Sequence, residues 1–210
     1  MTIIEPSVTI EDFDSVKVLQ NIERAGRTCY KSEANITKDS SEAFVASIIK
    51  RGHESVLEHE KITFRVICDR GVSHEIVRHR LASYSQESTR YVNYNKKGME
   101  FIKPNFWNND EDLDDYRYCM WQNMMKMCEE AYNRMIESGA KPEEARSVLP
   151  NSLKTEIVCT MNLRELRHFL KLRTAKVAHP QMRQVASMLY NLVKTKLPCI
   201  LEDIIIEKTA

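Results

Sequence analysis

The run Arg78-His79-Arg80-Leu81-Ala82-Ser83-Tyr84-Ser85-Gln86-Glu87-Ser88-Thr89-Arg90-Tyr91 concentrates side chains able to do chemistry. Three arginines fall within thirteen residues, with hydroxyls and an amide between them. A guanidinium is planar, permanently protonated and offers paired N–H donors, so the pattern suits a phosphate or a carbonyl-rich ring. The hydroxyl-bearing residues add hydrogen bonds but little bulk for a core. Nucleotide or anion recognition is the chemistry this segment points to. Ser88 read as a nucleophile would need a neighbouring base. Its immediate sequence shows none, so it is expected to position a substrate.

Charge along the chain is uneven. Between Ile76 and Lys97 there are five basic residues and one acid, and from Arg146 to Arg183 eight basic residues and two acids. Pro104 to Ser138 carries eight acids against three basics, so the formal net charge of the 210 residues is only +1. That near-neutral sum argues against a nucleic-acid binder held by bulk electrostatics. A nucleotide- or RNA-binding module built on the two basic stretches is the alternative, but the aromatic-plus-basic motif of an RNA-recognition sheet is absent. We expect a pocket for small anions and no nucleic-acid partner.

Other chemistries are excluded by spacing. The five glycines, at 26, 52, 71, 98 and 139, are too far apart for a G-x-G-x-x-G turn or a P-loop. His74 and His79 resemble a zinc helix but are five residues apart, about 140° around a helix, where H-E-x-x-H needs four residues. No metal site is expected. Six scattered cysteines without a C-x-x-C pair read as reduced thiols, mostly small buried residues, in a cytoplasmic protein. The start lacks a basic segment followed by an apolar run, and no stretch nears the roughly 18 apolar residues of a membrane helix. Neither a signal peptide nor a membrane partner is expected.

These side chains need elements to hold them. Val8-Thr9-Ile10 predicts a short strand, and Val16, Leu19 and Ile22 predict a helix from Asp14 to Ala25 that Gly26 stops. Asp39 and Glu42 form a capping-box pattern opening a helix that carries Phe44, Ile48 and Ile49 to Gly52. Ile62, Phe64, Val66 and Cys68 alternate as a half-buried strand. Gly71 to Leu81 predicts a helix, and Glu100 to Lys103 a second short strand. Asp112 to Ser138 predicts a long helix with Leu113, Tyr116, Met120, Met124, Met127, Ala131 and Met135 on one stripe, a core or a subunit interface. Pro142 opens a short helix that ends before Pro150, and helices follow at Leu163–Arg173 and Pro180–Lys194. Helices dominate and strands do not alternate with them, so the class is α+β: a helix-rich single domain over residues 1–210.

The residues carry a family resemblance. Arg78-His79-Arg80, seven residues, then Ser88 matches the R-H-R-x7-S signature of the flavin-dependent thymidylate synthases, and the match runs on through Thr89-Arg90-Tyr91. Ala145-Arg146-Ser147-Val148-Leu149-Pro150, Asn162-Leu163-Arg164 and Leu170-Lys171-Leu172-Arg173 extend it in order. The resemblance implies that family's fold, with a small, mostly antiparallel sheet. It also implies reductive methylation of dUMP to dTMP, with methylenetetrahydrofolate as one-carbon donor and NADPH-reduced FAD as hydride source. A homotetramer with active sites between subunits is implied as well.

By the same resemblance His53, Ser55, Arg78, His79, Arg80, Gln86, Asn162, Leu163, Arg164 and His168 are flavin-contacting positions. The dUMP-contacting positions are Glu75, Ile76, Val77, Arg78, Gln86, Glu87, Ser88, Thr89, Arg90 and Arg146. Arg173 is the arginine placed against the uracil ring, an electrostatic catalyst for charge on N3 or an enolate oxygen. Some relatives carry Asn-Glu where this chain has Ser85-Gln86, and His168 stands where others have Asn.

Overall fold

Alternation is the organising signal of the sheet. Ile62, Phe64, Val66 and Cys68 point inward along a nine-residue strand while Thr63 and Arg65 sit half-buried between them. The same pattern recurs at 154–162, where Thr155, Ile157, Cys159 and Met161 are buried and the residues between are not. The computed structural model describes residues 1–107 and 116–206.

Their order is β1 (Thr2–Ile4), β2 (Ser7–Ile10), α1 (Ser15–Tyr30), α2 (Ser41–Lys50), β3 (Lys61–Asp69), α3 (Arg70–Ile76) and β4 (Ala82–Gln86). There follow α4 (Tyr94–Lys97), β5 (Glu100–Ile102), α5 (Tyr116–Glu137), α6 (Pro142–Ala145), β6 (Lys154–Asn162), α7 (Leu163–Arg173) and α8 (Pro180–Lys196). Two 3-10 turns, Glu54–His59 and Arg146–Val148, carry candidate site residues. One sheet runs β2-β3-β6-β4, and β1 pairs with β5 in parallel, Ile3 opposite Phe101. The α+β class with a small antiparallel sheet holds, the β1–β5 pair being its parallel exception.

The chain divides into two compact units. The first comprises Met1–Ser7, Val66–Arg78 and Ser85–Ile157; the second comprises Val8–Arg65, His79–Tyr84 and Val158–Ala210. In the first, α5 covers a core of Tyr94, Phe101, Trp121, Met125, Tyr132 and Leu153. The Trp121 indole N–H reaches the Ser152 hydroxyl at 2.9 Å, which satisfies a donor that burial would otherwise orphan. In the second, Ile22, Ile48, Phe64, Leu166, Phe169 and Leu189 are buried on α1, α2, β3, α7 and α8.

Four expectations change. Gly26 does not stop α1, which runs on to Tyr30 and ends on Lys31 in a left-handed conformation (φ 49°). The glycine is a packing residue: a Cβ there would lie 2.6 Å from the Phe44 ring of α2. No capping box forms at Asp39, because α2 starts at Ser41 and Ser40 turns its hydroxyl to Glu23 at 2.9 Å. The helix expected over 71–81 ends at Ile76, and the segment 82–86 is strand β4. That puts His74 and His79 on different elements, so no zinc helix is possible there.

The long helix is described from Tyr116, leaving Leu113 and the start at Asp112 outside the described residues. Of its expected core-or-interface stripe, Met120, Met124 and Met127 are 48%, 49% and 59% exposed and so are not core, Met135 packs partly buried against the core, and Tyr118, Trp121, Met125 and Tyr132 are buried. The inner face is mostly aromatic, and each aromatic side chain there removes a large apolar area from water. The other expected helices agree, α7 over its full length. Cys68, Cys159 and Cys199 are buried, Cys29 and Cys119 are exposed, and none of the six cysteines is in a disulfide.

Candidate functional site

Helix α7 positions a buried polar cluster of the second unit. Asn162 caps it by accepting the Glu165 backbone N–H at 2.8 Å, which fixes the first turn. Glu165, Phe169 and Arg173 then recur every four residues and share one helix face. Against that face lies His79, buried with 5% of its surface exposed. Its Nδ1 is 2.8 Å from Glu165 Oε1, and its Nε2 accepts the Arg173 Nε–H at 3.1 Å. Phe169 meets the imidazole edge-on at 4.8 Å between centroids, and the Tyr84 hydroxyl donates to the His79 carbonyl at 2.6 Å.

This geometry assigns the proton. Arg173 can only donate, so Nε2 must hold a lone pair and Nδ1 carries the hydrogen that goes to Glu165. Burial lowers the His79 pKa below its usual 6.5, the Glu165 hydrogen bond opposes that shift, and Arg173 reinforces it. The imidazole is therefore neutral near pH 7. Burial also raises the Tyr84 hydroxyl well above the usual phenol range and pushes the Cys159 thiol up to about 12, so neither is a base or nucleophile. His79, Glu165 and His168 bring three ligand-type atoms within 4.8 Å of one another. The His79 nitrogens are already engaged, one by Glu165 and the other by a guanidinium, and His168 meets the His79 ring only by a tilted ring contact.

The other second-unit positions surround exposed surface. His53 is exposed, its Nδ1 2.8 Å from the Tyr30 hydroxyl and its ring stacked on that tyrosine. Ser55 is exposed on the 3-10 turn that follows. Arg167 pins that turn to α7. It is 1% exposed, donates to Glu54 at 3.0 Å, and takes both oxygens of Asp203 at 2.8 Å. Arg164 pairs with Glu58 at 2.6 Å. Arg80 and His168 are exposed, Asn162 is half-buried and Leu163 is buried.

In the first unit, Asp69 caps α3 by accepting the Val72 N–H at 2.7 Å, and α3 ends in Glu75 and Ile76, with Val77 and an exposed Arg78 beyond. Gln86 turns inward: its amide donates to Ser73 at 2.9 Å and Thr155 at 3.1 Å. Glu87 is held by Lys154 at 3.1 Å and by the Tyr94 hydroxyl at 2.9 Å. Ser88 Oγ accepts the Arg90 backbone N–H at 3.3 Å, a local turn bond, and no base is bonded to it among the described residues. Thr89 is buried, Arg90 is exposed with its guanidinium 5.4 Å over Tyr91, and Arg146 is exposed on its 3-10 turn.

Thus the structure brings His79 and Arg173 into contact and leaves Arg78, Arg80, Arg90, Arg146 and Arg164 presented at the surface. Sequence reasoning missed Glu165, Lys154, Tyr94 and Arg167. Asn162-x-x-Glu165 reads as a helix start and Lys154 as strand edge, so neither spacing signals a site.

Comparison with known proteins adds a separate line. A family model described as thymidylate synthase complementing protein matches residues 14–199. The chain is 38% identical over 186 residues to the flavin-dependent thymidylate synthase of Geobacter sulfurreducens, covering 85% of this chain and 78% of that protein. With the flavin-dependent thymidylate synthase of Thermococcus onnurineus it shares 40% identity over 159 residues, covering 74% and 63% respectively. Among solved structures it is similar to the UMP/dUMP methylase PolB from Streptomyces cacaoi bound with 5-Br dUMP. That match has a TM-score of 0.77 and 26% identity, and covers 96% of each chain.

Proposed function

The chain belongs to the flavin-dependent thymidylate synthase family, and from that premise we propose that it converts dUMP to dTMP by reductive methylation. Methylenetetrahydrofolate is the one-carbon donor, and FAD reduced by NADPH is the hydride source. The observation that carries the reading is Arg173, a guanidinium aimed by a buried neutral histidine within a family match that crosses both units. That unbroken match also supports reading residues 1–210 as one functional domain.

The donor set fits the flavin nucleotide. Arg78 and Arg80 are exposed, with no side-chain partner among the described residues, and suit a diphosphate. Ser55 and His53 offer hydrogen bonds beside an exposed tyrosine ring, and Arg164, Asn162 and Leu163 begin α7. When bound, FAD supplies the hydride that completes the new methyl group.

The chain's own residues then have distinct tasks. Arg173 faces the uracil ring and stabilises the negative charge that builds on N3 or a carbonyl oxygen as C5 becomes nucleophilic. It stays protonated throughout and transfers no proton. Arg90 and Arg146 hold the phosphate, and Ser88 orients it. Glu75, Ile76, Val77, Gln86, Glu87 and Thr89 shape that side of the site, Gln86 and Glu87 through inward bonds that fix the loop. His168 lies beside the flavin. We further propose that the chain works as a cytoplasmic homotetramer with sites shared between subunits. No described helix is long and apolar enough to cross a membrane.

Purified protein should show a flavin absorbance spectrum and release tritium from C5-labelled dUMP only when folate and reductant are both present. A colourless protein that takes up no FAD and binds no dUMP overturns the reading. The solved neighbour is a UMP/dUMP methylase, which favours UMP as a second substrate. Turnover of each nucleotide alone separates the two.

A further inference from the structure

Three contacts hold His79, one on its backbone and two on its ring. Tyr84 holds its backbone carbonyl at 2.6 Å, Phe169 walls one edge at 4.8 Å, and Glu165 takes Nδ1 at 2.8 Å. What remains is the Nε2 lone pair, pointing at Arg173. We propose that Glu165 is a positioning residue for the methylation reaction: by accepting the Nδ1 proton of His79, it keeps Nε2 as the acceptor that aims Arg173. The proposal rests on the functional reading above, and it gives His79 a task besides contact with the flavin.

The arrangement separates direction from charge. A carboxylate placed directly on Arg173 would aim the guanidinium but also offset the positive charge the reaction needs. An imidazole acceptor aims the Nε–H and adds no negative charge, and the carboxylate stands one ring further back. Glu165 is only 7% exposed and sits in the first turn of α7, where the helix dipole favours an anion. Arg167, the neighbouring buried cation, takes its carboxylates from Glu54 and Asp203. The result is a chain running from a buried anion through a buried neutral ring to a half-buried cation.

The tautomer is the vulnerable point. If Nδ1 lost its acceptor, the ring could carry its proton on Nε2 instead, and two donors would then face each other at Arg173. Protonation of the ring does the same from the acid side. The titratable and charged groups around His79 are Glu165, His168 and Arg173 on α7 and Tyr84 on β4, with Cys159 of β6 near Tyr84. The carboxylate favours the protonated ring, while burial and Arg173 disfavour it.

Glu165→Gln keeps an acceptor for Nδ1 but removes the charge that favours imidazolium. The His79 pKa should fall further, so the acid limb of the pH profile for dTMP formation moves to lower pH. The same shift should appear in the nitrogen resonances of 15N-histidine-labelled protein, with His79 assigned by loss of its signals in His79→Gln. Glu165→Leu removes the acceptor. It should lower kcat about tenfold to a hundredfold, the range of one charge-assisted hydrogen bond, with bound flavin unchanged. Resonances of His79 that Glu165→Gln does not move, or that move while the acid limb stays in place, overturn the proposal. The resonance measurement needs no turnover, so a wild-type protein that makes no dTMP defeats the functional reading alone.

Discussion

The two units hold the arginines we propose for the reaction by opposite means. In the second, Arg173 is aimed through buried groups, with the neutral ring of His79 between it and Glu165. In the first, Arg90 and Arg146 stand exposed, and order comes from behind them. Lys154 bonds Glu87 at 3.1 Å and lies 3.9 Å from both Glu100 and Glu156. A group that must stabilise charge on a ring edge needs a fixed direction, which buried, uncharged contacts supply. A group that must close on a mobile, solvated phosphate needs reach, and a firm base for its loop suffices.

Deleting the aimed cation should have the largest effect. Arg173→Ala is expected to lower dTMP formation by about a thousandfold or more, a loss typical of removing the main electrostatic stabiliser, with flavin absorbance retained. Near-normal turnover would remove Arg173 from the chemistry, and the second unit would no longer differ from the first in kind.

The first unit should break more gently. Lys154→Met removes the cation shared by Glu87, Glu100 and Glu156, and the Glu87 carboxylate keeps the Tyr94 hydroxyl. Lys154 is 16% exposed at the side chain, so solvent screens the loss only in part, and we expect about 1–3 kcal/mol of destabilisation in chemical denaturation. The KM for dUMP should rise about tenfold while kcat stays within about threefold, because the loop carrying Ser88 and Arg90 loosens. A fall in kcat at unchanged KM would show that this region, too, aims a reacting group.

How far each region can be read from sequence follows from the same contrast. Helix α7 is legible over its full length because its cap, its apolar spacing and its end are all local. The presented arginines are legible because their number and spacing suffice to suggest an anion. The relay is not. His79 and Glu165 are 86 positions apart, and along the sequence Glu165 is merely one of two acids among eight basic residues. Whether a carboxylate is solvated or buried against an imidazole is decided by tertiary packing. Gly26 and the core reading of Met120, Met124 and Met127 mislead for a related reason. A glycine inside a helix and a methionine at helical spacing each have two structural uses, and only the neighbour decides: Phe44 against the first, and four better-buried side chains against the second.

The smallest expected effect tests whether burial, and not the unit as such, makes the difference. Arg167 is buried, yet its partner Asp203 is 46% exposed at the side chain and also bonds Lys171 at 3.1 Å. The bonds from Arg167, and less strongly Lys171, hold the Asp203 carboxyl well below the usual carboxylate range. A depressed carboxyl pKa contributes stability above the unfolded value, near 3.9, and that stability is lost as pH falls through the folded value. Asp203→Asn should therefore lower Tm at pH 7, but only by about 1–3 °C, since solvent weakens a half-exposed pair. The gap between variant and wild type should narrow as pH drops below about 4. A gap that stays constant down to pH 3 would mean that hydrogen-bond shape, not charge, holds Asp203. The Arg167 cluster would then behave like the His79 relay, and exposure would not be what separates the two ways of holding an arginine.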